Sequence, residues 1–275
     1  MNAASLPSDL PTDLVHDAFY RFVRIDDAEA FARYLRDLTR WLTGALVVAP
    51  EGLNGMLAGP AAALDDFRAS LTADARFAGL PFKRSACSTP PFHRMKVHVR
   101  PNLLSLGAEG TNAIDRPGVQ LSALEWRALL DADDVVVIDN RNSFEHRLGR
   151  FRGALDPNVG NFRDLPAFID AHRAQWQAEG KRVAMYCTGG IRCEKTAAWM
   201  QERGLRVAQL DGGILNFLDA FPDTAADWEG ECYVFDKRIA IDAAGRETGT
   251  TAAAVFTDPA DAWRLARARR LDPED

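Results

Sequence analysis

The chain has 275 residues, of which 47% are apolar and 26% charged, and its formal net charge is −6. This is the profile of a soluble globular protein; it excludes a disordered tail protein, a fibre and a disulfide-stapled miniprotein. No apolar run approaches the roughly 18 residues that cross a bilayer, and the length suits two modest domains.

The first residues carry acids at Asp9, Asp13 and Asp17 and no basic side chain. They resemble neither a secretory signal nor a transit peptide, so a cytoplasmic protein without a membrane partner is expected. Residues 1–18 are read as a flexible N-terminus. From there FYRFVRI (19–25) is short, aromatic and β-branched, a strand pattern. Phe31, Leu35, Leu38 and Leu42 are spaced for a helix that Asp26 or Asp27 can cap. ALVVAP (45–50) and GMLAG form strands around the turn EGLNG, and a helix follows over 60–73 with Pro60 near its start. Segments 81–88 and 92–100 complete the order β-α-β-β-α-β with one short addition. Residues 19–100 therefore predict a ferredoxin-like (acylphosphatase-like) α+β domain.

Residues 101–117, with Pro101, Gly107, Gly110 and Pro117, read as a linker. From VQLSALEWRALLDAD, taken as a helix, helices alternate with the apolar runs VVVID (135–139), RVAMYC (182–187) and VAQLDGG (207–213). That alternation predicts a doubly wound parallel-sheet domain over 118–228. Sites in such sheets lie beyond the carboxyl ends of the strands, where Asp139 and Cys187 fall. The tail, 229–275, reads as a hairpin, ECYVFDKRIAI, and a short helix, DPADAWRLARARR.

Four cysteines are present, at 87, 187, 193 and 232, and none forms a C-x-x-C pair. A disulfide scaffold and a structural zinc site are not expected. No histidine begins an H-x-[DE] pair and no G-x-G-x-x-G is present, so no metal, flavin or nicotinamide site is evident. The informative stretch is Cys187-Thr188-Gly189-Gly190-Ile191-Arg192-Cys193-Glu194-Lys195. Here a buried strand ends on a cysteine, two glycines let the backbone curl, and a helix begins. Curled N–H groups and a helix N-terminus hold an anion and lower a thiol from its free value of about 8.5, with Arg192 and Lys195 adding positive charge. A tyrosine-phosphatase loop would place arginine six residues after the cysteine; here it comes at five, which suits a sulfur-sized anion better than phosphate.

The supporting residues admit two readings each. Cys193 resolves an oxidised Cys187 or packs as a small residue under the loop. Arg192 orients the anion or a substrate phosphate, or simply starts a helix. Asp139 and Arg141 pair, with a structural role at least as strong as a catalytic one. The tryptophans at 41, 126, 176, 199, 228 and 263 read as core. Lys83, Arg84, Arg94, Lys96 and Arg100 lie in a stretch, 81–107, that holds no acid; this is a solvated face or a polyanion site.

Cys187 to Arg192 resembles the active-site loop of rhodaneses. VVVIDNRNSFEHRLGRFRGALDPN (135–158), with Asp139, Arg141, Glu145 and His146, and LDGGILNF (210–217) are similar to the flanking rhodanese signatures. APEGLNGMLAG (49–59) and PFHRMKVHVRPNLLSLG (91–107) resemble one rhodanese-containing family, the tRNA uridine hydroxylases. Longer members of that family carry a cysteine-rich C-terminal extension, whereas here only Cys232 follows the loop. The resemblance implies oxidation of the wobble uridine of tRNA to 5-hydroxyuridine, with molecular oxygen and an unidentified electron donor as co-substrates. Cys187 would be the active-site thiolate or persulfide, and the 81–107 basic residues would grip tRNA backbone. Two alternatives stand beside it: a plain sulfurtransferase, and an inert interaction module, against which the intact Gly-Gly-Ile-Arg loop argues. No stable protein partner is evident, and the sequence leaves oligomeric state open.

Overall fold

A computed structural model describes residues 14–107, 111, 113–224 and 226–271. The first unit runs β1 (Leu14–Phe22), α1 (Ala28–Leu38), β2 (Thr43–Ala49), β3 (Gly52–Pro60), α2 (Ala61–Thr72), β4 (Lys83–Ala86) and β5 (Met95–Val99). Its sheet has the order β4-β1-β3-β2-β5. The first four strands are antiparallel in the ferredoxin-like arrangement, and the additional strand, β5, lies parallel to β2. Asp27 caps α1 by accepting from Ala30 N at 2.8 Å. Pro60 presets the backbone at the start of α2 with φ −55°.

Strand alternation divides this sheet between two jobs. Phe19, Leu46, Val48, Leu53 and Leu57 pack under Phe31, Leu35, Leu64 and Phe67 of the helices. Tyr20, Phe22, Val47 and Ala49 face the other way, onto Ile191 and Ala198 of the second unit. Because β1 starts at Leu14, residues 14–18 are strand and not flexible terminus; residues 1–13 of that expectation lie outside the described residues.

The described residues at the start of the 101–117 linker pack against the first unit. Leu103 and Leu106 are buried, and Leu103 N donates to Glu51 Oε1 at 2.7 Å. The second unit comprises β6 (Val119–Leu121), α3 (Ala123–Leu130), β7 (Val135–Asp139), α4 (Ser143–Leu148), β8 (Gly149–Phe151), α5 (Leu165–Ala178), β9 (Arg182–Tyr186), α6 (Ile191–Gln201), β10 (Val207–Leu210) and α7 (Gly213–Ala220). Four strands, β6-β10-β9-β7, form a parallel sheet. Helices α5 and α6 cover one face through Ile169, Trp176 and Trp199. The other face lies under Trp126 of α3 and Phe217 of α7. Val119–Leu121, expected as the start of a helix, is instead the edge strand. Ser122 and Glu125 form a capping box that begins α3 only after it.

The tail adds β11 (Trp228–Gly230), β12 (Cys232–Tyr233), β13 (Ala240–Ile241), α8 (Ala252–Val255) and α9 (Ala262–Leu271). The expected hairpin is β12 paired with β13, and the expected helix is α9. The tail bridges both units. β11 pairs with β8, while Arg238 Nη1 donates to Ser85 Oγ at 2.9 Å and Ser88 N to Glu247 Oε1 at 2.8 Å. No helix among the described residues is long and apolar enough to cross a membrane.

Candidate active site

β9 delivers the chain to Cys187, and a tight turn leads into α6. Three successive carbonyls of that turn are held from outside. Cys187 O accepts from Ile214 N at 3.0 Å, Thr188 O from Leu215 N at 3.2 Å, and Gly189 O from Lys83 Nζ at 2.6 Å. A trans peptide points its C=O and N–H in opposite directions, so outward carbonyls turn the loop's N–H groups inward. The Gly190 N–H donates to Cys187 Sγ at 3.1 Å. Gly190 has φ +102°, and a Cβ there would stand 2.7 Å from the Tyr20 hydroxyl. Gly213, at φ +68°, lets the start of α7 reach the loop, because a Cβ there would lie 2.3 Å from Cys187 O.

Burial opposes ionisation of Cys187, but other effects outweigh it. The Cys193 thiol, the Arg192 charge and the N–H groups of Cys193 and Gly190 hold the Cys187 thiol well below the ordinary range. Cys193 goes the other way, pushed up by burial and by donating to its neighbour. The loop thus stabilises one sulfur as a thiolate, the nucleophilic form.

The remaining candidates are fixed by partners. Arg192 is neither an exposed helix start nor free to clamp a phosphate. Its Nη1 and Nη2 each donate at 2.7 Å to buried Glu145, and Nη2 also reaches Thr188 Oγ1 at 3.3 Å. Asp139 accepts from Arg141 Nε at 2.8 Å and Nη2 at 2.6 Å, and from Tyr186 OH at 2.8 Å. His146 Nδ1 is 3.0 Å away. Burial would raise the Asp139 carboxyl, yet Arg141 and these hydrogen bonds bring it down to about 2. Asp139 and Arg141 thus form a buried ion pair, and Asp139 also ties the end of β7 to Tyr186 at the end of β9. Among the described residues, no group of three or more His, Cys, Asp or Glu is placed to hold a metal.

Comparison with known proteins follows the two units. Residues 15–103 match the UPF0176 acylphosphatase-like domain and residues 122–220 the rhodanese-like domain. A protein of Synechococcus elongatus named tRNA uridine(34) hydroxylase is 44% identical over 82% of this chain and 84% of its own. Proteins of the same name from Jannaschia and Legionella pneumophila are 41% and 37% identical, over 82% and 84% of this chain and 74% and 91% of theirs. The chain belongs to the tRNA uridine(34) hydroxylase family.

In this family member the rhodanese-like loop is not an open mouth. Cys187 is 1% exposed, and the acylphosphatase-like domain covers it. Tyr20 OH donates to Glu194 Oε2 at 3.0 Å, Lys195 Nζ pairs with Glu51 Oε2 at 2.5 Å, and Lys83 reaches the loop itself. Lys195, expected to add positive charge near the sulfur, is paired across the domain boundary with Glu51. Lys83 is not a surface cation, and Arg84 is engaged by Asp17 at 3.0 Å and Asp65 at 2.8 Å. Lys83 is thus turned onto the loop, while Arg84, exposed at the surface, is paired with two carboxylates. Arg94 and Arg100 are exposed, and Lys96 is half-buried. Trp126, Trp176, Trp199 and Trp228 are core as expected, but Trp41 and Trp263 are 80% and 51% exposed. Both stand near chain turns or ends, where helical spacing says little about burial.

Sequence reading did not single out Tyr20, Glu51 or Asn140 as site residues. Asn140 Nδ2 donates to Thr196 Oγ1 at 3.0 Å and its side chain also contacts the Cys193 thiol, so it braces the helix under the cysteine pair. All three act through contacts distant in sequence, which no local motif announces.

Proposed function

We propose that this protein hydroxylates the wobble uridine of tRNA, position 34 in the name its relatives carry, to 5-hydroxyuridine, with Cys187 as the reacting sulfur. The observation that carries this reading is the thiolate-stabilising loop on a chain of this family. The uracil ring is electron-poor at C6. Addition of the Cys187 thiolate there makes C5 an enolate-like carbon that takes up molecular oxygen as a hydroperoxide. A two-electron donor with two protons reduces the O–O bond, releasing water and leaving a C5 hydroxyl. Loss of the C5 proton then expels the thiolate and restores the double bond. With the sulfur so covered, the base reaches it only when the Tyr20 side chain turns away from the loop.

The remaining basic residues support RNA contact. Lys96 and His98 alternate on β5 with core-facing Met95, Val97 and Val99. They therefore share the sheet face that carries Tyr20 and Val47. Burial lowers the His98 pKa, and the charges of Arg100 and Lys96 lower it further, which marks a locally positive surface. Phosphate contacts there supply affinity without sequence choice. Replacing Arg94 and Lys96 by Ala flattens the salt dependence of tRNA binding by about one unit of slope for each phosphate no longer engaged; an unchanged slope removes this patch from the interface.

The deciding experiment is nucleoside mass spectrometry of tRNA from cells lacking the gene, complemented with wild type or Cys187→Ala. The reading expects 5-hydroxyuridine to return with the first and not the second. A second reading, transfer of sulfur through a Cys187 persulfide, is favoured by the close ring of donors around Sγ, which suits a sulfur anion. Rapid thiocyanate release from thiosulfate and cyanide, with unchanged tRNA nucleosides in the deletion, would select it.

A further inference from the structure

Lys83 is the one residue of β4 whose side chain leaves its own domain to end on the active loop. Its Nζ donates to Gly189 O at 2.6 Å and also to Gly212 O. Those two carbonyls belong to different segments, the Cys187 turn and the turn before α7. Gly189 C=O and Gly190 N–H are the two ends of one peptide plane. Holding the oxygen toward Lys83 therefore aims the N–H at Cys187 Sγ, 3.1 Å away. Among the described residues, none of the rhodanese-like domain donates to the Gly189 carbonyl; α7 supplies donors to the carbonyls of Cys187 and Thr188.

We propose that Lys83 is a positioning residue for the Cys187 loop: its ammonium pins the Gly189 and Gly212 carbonyls, keeps the Gly190 N–H on the sulfur, and makes the acylphosphatase-like domain part of the active site. This rests on Cys187 being the reacting sulfur. Burial lowers the Lys83 pKa to about 8, and the nearby Cys187 opposes that drop, so the two charges support each other. The groups facing the pair are Cys193, Arg192 and Glu194 on α6, Tyr20 on β1, Asp211 beside Lys83, and Cys232 on β12. Separation of the domains would withdraw Lys83 and weaken the thiolate, which ties reactivity to domain closure.

The test compares the full-length wild type with Lys83→Met, Lys83→Gln and Lys83→Arg. Thiolate formation at Cys187 is followed by ultraviolet absorbance against pH, with Cys187→Ser as the blank, and tRNA binding is measured against salt. Loss of the charge raises the Cys187 midpoint by about one pH unit or more in both neutral variants, Lys83→Arg largely restores it, and the salt slope of tRNA binding stays as in wild type. Lys83→Gln, which keeps a donor, preserves the readout should the methionine variant fail to fold. An unmoved midpoint in the folded neutral variants overturns the proposal, as does a salt slope that falls by about one, the mark of a phosphate contact. Since this titration needs no tRNA product, absence of 5-hydroxyuridine in cells would remove the functional reading while leaving Lys83 to be decided separately.

Discussion

At the scale of single residues, the site depends on how donors are divided between two sulfurs six positions apart. Cys187 receives hydrogen bonds, and Cys193 gives one. A negative sulfur next to a neutral donor is more stable than two thiols competing for the same N–H groups. Cys193→Ala therefore raises the Cys187 midpoint and slows its alkylation near neutrality, while Cys193→Ser, which keeps a donor, recovers most of both. Cys187 itself was legible in the sequence because strand end, glycine pair and helix start are all local. The role of Arg192 was not. Its sequence position says nothing of Glu145, which approaches from another element and takes both terminal guanidinium nitrogens.

Among elements, α4 and the Cys187 turn form a mechanical unit. Glu145 is the third residue of α4, where its carboxylate accepts from Asn142 N at 3.2 Å and also pairs with Arg192. Glu145→Gln leaves a buried guanidinium without its counter-charge, and loss of one partner of such a pair costs roughly 3–5 kcal/mol. Denaturant midpoints should show a loss of that order, with the Cys187 midpoint displaced as Arg192 relaxes. Gly190→Ala should damage the same unit differently. Its φ of +102° and the Tyr20 hydroxyl 2.7 Å from the new Cβ force either the loop or the domain contact to yield, so thermal stability and the Cys187 titration should change together. Most helices and central strands were legible from periodicity and caps. Val119–Leu121 was missed because three residues carry too little pattern and run directly into helical sequence. The β8–β11 pairing was missed because its partners lie about eighty residues apart, with no turn to mark them.

Across the whole molecule, the two domains and the tail close around a few buried polar groups. His16 on β1 is buried against Phe92, with Asp236 3.9 Å away on the tail. Burial and Arg238 lower its pKa from 6.5 to about 4, against the opposing charges of Asp236 and Asp17. Between those two values the unfolded chain takes up a proton that the folded chain refuses. Stability should therefore fall as pH drops from 6.5 toward 4, by about 3 kcal/mol from this group. Denaturant midpoints across that range should decline more steeply for wild type than for His16→Phe; equal slopes would show that His16 is not the cause. Domain content could be read from sequence, but the tail's part as a strap across both domains could not. Its contacts through Arg238 and Glu247 join residues far apart in the chain.

The proposed chemistry requires the folded chain to hold the Cys187 sulfur as an anion at neutral pH. Ultraviolet titration of the wild type, with the Cys187→Ser protein subtracted, measures this without requiring reagent or substrate to enter the covered site. A single thiolate transition is expected, with its midpoint well below the free-thiol value of about 8.5. A midpoint at or above that value, with the protein folded throughout, would contradict it.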